Sequence, residues 1–178
     1  MKTFRSGIRR GFTLIELSLA MGIGMAIATL VLMLVNQQLA FLNLLKAQDF
    51  LTEEAPMISL YVGKMAGKAD RFRLHASVAD ALAGRDPRLT ESPVMLMNFR
   101  QPDGTMRASI LSFETQNGRE ALNYYMVPVS ASPTLGAPQW SITKKADDIL
   151  FFVEEGILRM QITGPAQERV TYSGTMQQ

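Results

Sequence analysis

The sequence contains no cysteine and a single histidine, His75, among its 178 residues. A disulfide framework and cysteine-ligated metals are therefore excluded, and nothing covalent staples the fold. Enzyme signatures are equally scarce. There is no Gly-x-Ser-x-Gly elbow, no glycine-rich phosphate loop and no His-Glu-x-x-His pair, and His75, inside the alternating stretch Arg71 to His75, reads as a structural or surface histidine on a strand. Proline is missing before Pro56, and charge is missing altogether from Leu17 to Leu45. That last absence is the informative one.

A helix over the uncharged run rises about 44 Å at 1.5 Å per residue, more than the ~30 Å hydrocarbon core of a bilayer. One crossing fits, with helix left over. Before it, Met1 to Gly11 carries Lys2, Arg5, Arg9 and Arg10 and no acid, a bias that keeps this end in the cytoplasm and sends the rest across. Four of the 18 basic side chains lie in that segment, so without it 14 bases face 16 acids. The sequence pI of about 9.0 is thus no sign of a nucleic-acid surface, and pairs such as Lys144-Lys145 are too sparse to make a track.

Glu16 is the anomaly. A carboxylate at the head of an apolar run is costly in lipid and calls for a partner, unless it sits near enough to the membrane edge to reach back to water. The pattern around it, a basic leader, Gly11, then Phe12-Thr13-Leu14-Ile15-Glu16 and a long apolar helix, resembles the processing signal of type IV prepilins and type II secretion pseudopilins. The match covers about the first third of the chain. It implies a leader 1–11 removed by a prepilin peptidase after Gly11, and Phe12 as the new N-terminus with a methylated amine. It also implies Glu16 as the charge that meets a neighbouring subunit's amine during assembly.

Two other readings compete for the same residues. Ala26-Ile27-Ala28 satisfies the small-x-small rule of ordinary signal peptidase, but cleavage there would expose the apolar stretch Thr29 to Val35, and Glu16 would interrupt the hydrophobic region. An uncleaved signal anchor accounts for the run and the leader charge and leaves Glu16 without a role.

Within the run, Ser18, Gly22 and Ala26 recur every fourth residue, as do Ala20, Gly24 and Ala28. Small residues at this spacing form ridges that admit a second helix backbone, although glycine and alanine are also simply common in membrane helices. Many major pilins carry a helix-breaking proline in this segment and a disulfide near the C-terminus. The chain has neither, which by resemblance points to a minor pilin or a pseudopilin.

From Asn36 the pattern becomes amphipathic. Leu44, Ala47, Leu51, Ala55, Ile58, Val62 and Met65 step by three and four, which predicts a long helix over 12–68, with a membrane part 12–45 and an amphipathic part 46–68 lying against a core. Pro56 predicts a kink or restart. Beyond it, 69–178 reads as an exported domain. A strand is expected over Arg71 to His75, a short helix over Ser77 to Ala83 ended by Gly84, and strands over Val94 to Phe99, Met106 to Phe113 and Leu122 to Val127. Pro102-Asp103-Gly104, Gln116-Asn117-Gly118 and Glu154-Glu155-Gly156 supply turns, Ser130 to Pro138 a loop, and Ile149 to Val153, Ile157 to Ile162 and Arg169 to Tyr172 the remaining strands. A long helix packed on a mostly antiparallel sheet is an α+β fold, the layout that pilins also build.

Asp147-Asp148 and Glu154-Glu155 carry the oxygen ligands a Ca²⁺ site would need, but without calcium-loop spacing they read as solvated acids. Trp140, Tyr124, Tyr125 and Phe152 are expected in the core rather than on a ligand platform. No metal and no cofactor is expected. The sequence thus reads as a non-enzymatic, prepilin-like filament subunit, a single-pass protein of the cytoplasmic (inner) membrane whose domain lies in the periplasm. The partners implied by the resemblance are other pilins or pseudopilins, prepilin peptidase and the inner-membrane assembly platform, with membrane lipid around the anchor and no nucleic acid. The alternative is a membrane-anchored binding module that never polymerises.

Overall fold

The computed structural model describes residues 13–116, 118–130 and 133–176. The chain divides into two units, 1–43 and 44–178. In the first, every described residue belongs to, or leads into, helix α1 (Leu14–Asp49), which has no buried residue. With the segments that follow, helical geometry runs from Leu14 to Ala66, long and apolar enough to cross a membrane.

The second unit begins on the last turns of that helix. A π-helical segment (Phe50–Glu54) precedes α2 (Ala55–Ala66), and the Ala55 amide donates to the Phe50 carbonyl, five residues back. Pro56 explains the widened turn. It has no N–H for the Thr52 carbonyl and its ring crowds that turn, so the helix opens here and restarts with proline in the first turn of α2. The extra residue rotates the preceding turns away from the core. Leu44, expected on the buried stripe, is 64% exposed, whereas Phe50 is only 3% exposed and joins Ala55, Ile58, Val62 and Ala66 against the sheets. Thus the stripe starts six residues later than its periodicity suggests.

The predicted strands form, all antiparallel, but in two sheets rather than one. The first holds β1 (Arg71–His75), β2 (Val94–Arg100), β3 (Met106–Gln116), β4 (Arg119–Met126) and β5 (Trp140–Thr143), in that spatial order. The second holds β6 (Asp148–Glu154), β7 (Ile157–Thr163) and β8 (Arg169–Met176). Helix α3 (Val78–Ala83) follows β1, with the Ser77 hydroxyl accepting the Asp80 amide at its start and Gly84 in the left-handed conformation at its end, as predicted. The β6–β7 turn is a two-residue loop with both Glu155 and Gly156 at positive φ, the geometry that matches strand twist.

Alternation along the strands sorts the core. Phe72, Met95, Met97, Leu111 and Leu122 share one face of the five-stranded sheet and pack with α2 and with Ile149, Phe151, Leu158, Met160 and Ile162 of the three-stranded sheet. A smaller cluster of Ala81, Val94, Ile110 and Tyr125 fills the opposite face beneath α3. Segment 88–92 stitches the sheets together. The Arg88 amide donates to the Leu74 carbonyl at 2.9 Å, and Ser92 and Phe151 exchange two backbone hydrogen bonds at 2.8 and 2.9 Å. Gly164 closes β7 on Phe50, where a Cβ would stand 2.5 Å from the Phe50 ring.

Candidate functional site

Leader residues, Gly11 and Phe12 lie outside the described residues, so the proposed cleavage and methylation positions have no geometry. What is described begins one residue later, at Thr13. Its carbonyl accepts the Leu17 amide at 3.1 Å, the first bond of α1, which makes Thr13 the N-cap. The Thr13 amide and hydroxyl donate to the same Glu16 carboxylate oxygen at 2.9 Å each, and the Glu16 amide approaches the Thr13 hydroxyl oxygen at 3.4 Å. This reciprocal arrangement is a capping box, and it satisfies donors that the first helical turn leaves without intrahelical partners.

The role of Thr13 was legible in principle, because Thr-x-x-Glu ahead of an apolar run is itself a helix-start signal. The resemblance gives Glu16 an intermolecular charge and Thr13 no task, whereas the structure gives the two residues a shared one. One carboxylate oxygen is held by Thr13, while the other has no partner among the described residues, so the group can both cap the helix and accept from a second donor.

Below this cap, Ser18, Gly22 and Ala26 line a shallow open groove together with Ile15, Leu19 and Ile23. A Cβ on Gly22 or on Gly24 would meet nothing within 4 Å. Neither glycine is demanded by its own chain. The Ser18 hydroxyl turns back to the Ile15 carbonyl at 3.0 Å, so it presents little free polarity on the ridge. Ala20 and Ala28 are likewise exposed on the helix.

The other candidates do not converge. Asp147-Asp148 and Glu154-Glu155 stand at opposite ends of β6, about 20 Å apart at the rise of an extended strand. Asp147 accepts from the Gln167 side chain at 3.0 Å and Glu154 pairs with Arg159 at 2.6 Å. Burial, and not a neighbouring acid, is the main cause raising the Asp148 carboxyl above its ordinary range. Among the described residues no group of three or more His, Asp or Glu side chains is placed to hold a metal.

His75 is fully buried, with Nδ1 at 2.9 Å from the Arg85 carbonyl oxygen, to which it donates, and Nε2 without a partner among the described residues. It ties the loop after α3 to β1. Tyr124 and Tyr125 lie inside as expected and Phe152 is half-buried, but Trp140 is 51% exposed on the edge strand β5, stacked on Tyr124 with ring centroids 4.2 Å apart. The exposure has a topological cause: β5 is the last strand of its sheet, so only one side of the indole is covered. Comparison with family models, with curated proteins and with solved structures found no match.

Proposed function

We propose that the chain is a prepilin-like structural subunit, a minor pilin or pseudopilin, processed after Gly11, held in the cytoplasmic membrane by its N-terminal helix and assembled through that helix into a filament. One observation carries the reading. A lone carboxylate, Glu16, heads an exposed apolar helix directly behind a basic leader that ends in glycine. Cleavage after Gly11 would create an amine at Phe12, a cation of the kind that makes a carboxylate tolerable in lipid. Small-residue ridges along the same helix support close approach of a second one.

The second reading, a membrane-anchored module that does not polymerise, draws on the capping box, which gives Glu16 a task within its own chain. The two readings differ in the mature N-terminus. Mass spectrometry of the membrane-extracted protein is expected to find a methylated Phe12. Retention of Met1 in cells that contain prepilin peptidase would overturn the first reading in favour of the second.

A further inference from the structure

The outward face of the helix in the second unit is neither polar nor random. Opposite the buried stripe, Met57, Leu60 and Tyr61 are each about half exposed, at 51%, 50% and 53%. Lys64 and Lys68 follow them, and Asp49 and Glu53 precede them, all four exposed. None of these four charges makes an ion pair among the described residues; Lys145 pairs with the adjacent Glu54 and also lies within electrostatic reach of Glu53.

The spacing is the telling feature. Moving along the chain by fifteen residues takes Asp49 to Lys64 and Glu53 to Lys68, acid to base both times. The same step takes Lys46 to Tyr61, a cation to an aromatic ring, and Leu45 to Leu60. Fifteen α-helical residues would rotate the face by about 60°. The π-helical turn at Phe50–Glu54 lies inside each step or at its edge, and its extra residue per turn takes up part of that rotation, which brings the pairs within the helix towards one line, with Lys68 in the turn two residues past the end of α2.

We infer that this face is a contact surface for a second copy of the same chain, running parallel and displaced along the helix by fifteen residues, about 22 Å at the α-helical rise. Parallel orientation follows from anchors inserted in the same sense. With no displacement, acids would face acids and lysines would face lysines, which is repulsive. At fifteen residues all four positions are complementary.

Such a strip is far smaller than the roughly 800 Å² per partner of a stable interface. The contact therefore needs copies already concentrated by their anchors. The displacement also exceeds the ~14 Å by which the uncharged run outlasts a bilayer core. One copy must be drawn outward relative to the other, so the inference rests on the assembly reading above and places this contact in the growing filament.

The cysteine-free chain makes the test direct. Two full-length copies with different tags, one Asp49→Cys and the other Lys64→Cys, are co-expressed in the native host and oxidised with copper phenanthroline. The mixed pair is expected to cross-link at least five-fold more than either like pair or than Glu53→Cys with Lys64→Cys, which samples an eleven-residue displacement. Asp49→Lys in both copies should reduce a Glu53→Cys/Lys68→Cys cross-link to background, and adding Lys64→Asp should restore it. Equal yields for all pairs, no product between tagged copies, cross-links only to another protein, or charge reversal without effect would each overturn the proposal. The N-terminus is read on the same samples. A displaced cross-link on chains that keep Met1 would leave the contact standing and remove the processing reading, whereas a methylated Phe12 without the preferred cross-link would do the reverse.

Discussion

The Thr13 amide and the Thr13 hydroxyl donate to one and the same oxygen of Glu16, each at 2.9 Å. This divides what a substitution at Glu16 removes. Glutamine keeps an acceptor oxygen and is itself a capping-box residue, so Glu16→Gln loses the charge and keeps the cap. Alanine loses both the charge and the acceptor of the capping box. If the charge drives assembly, both variants are expected to be cleaved and inserted normally, and both to co-purify poorly with partner subunits. Wild-type incorporation of Glu16→Gln alongside failure of Glu16→Ala would assign Glu16 to the cap alone. A cleavage defect in both would assign it to peptidase recognition.

The first residue of the long helix to be buried is Phe50, and nothing in α1 before it is. A fragment from Gln48 to Gln178 keeps the whole core and is expected to be soluble and to unfold in one cooperative transition. Urea denaturation followed by circular dichroism and by Trp140 fluorescence should give coincident curves. Separate transitions would mean that the two sheets do not fold as one unit with α2.

Gly164→Ala places a methyl 2.5 Å from the Phe50 ring and 2.1 Å from the Glu168 carboxylate. The carboxylate is the far end of a flexible side chain and can give way, whereas the ring is packed in the core. The expected cost is about 1–3 kcal/mol, the usual range for overpacking. In a Phe50→Leu background the penalty should shrink, and additive losses in a double-mutant cycle would show that the two positions are not in contact.

Burial and the hydrogen bond donated to the Glu114 carboxylate push the Tyr125 hydroxyl up to about 12. The native state thus holds a proton that the unfolded chain releases near pH 10. Tyr125 contributes its full stability below pH 10 and loses it as pH rises from 10 towards 12. At most about 3 kcal/mol is at stake. Tyr125→Phe is expected to flatten stability against pH in that window, and an unchanged alkaline slope would place the linkage elsewhere.

Several elements were legible because their causes are local. Ser77 and Gly84 bracket α3, Pro102-Asp103-Gly104 turns β2 into β3, and Glu155-Gly156 turns β6 into β7, each by chemistry within a few residues. Strand β5 was not legible. It has four residues, follows a sequence rich in Pro and Ser, and is a strand only because β4 offers it an edge.

What the sequence determined by itself is the uncharged run and the carboxylate at its head, because the cost of charge in lipid and the length of a helix depend on composition alone. It also determined the α+β character of the remainder, through periods of 3.6 and 2 and through turn residues acting at short range. Tertiary structure decided which turn of the helix first enters the core, since the widening at Pro56 rotates Phe50 in and Leu44 out. It decided too that the strands among the described residues close as two sheets and that Trp140 ends on an edge. Those outcomes depend on partners distant in the chain, and local preference, weaker than packing, could not foretell them.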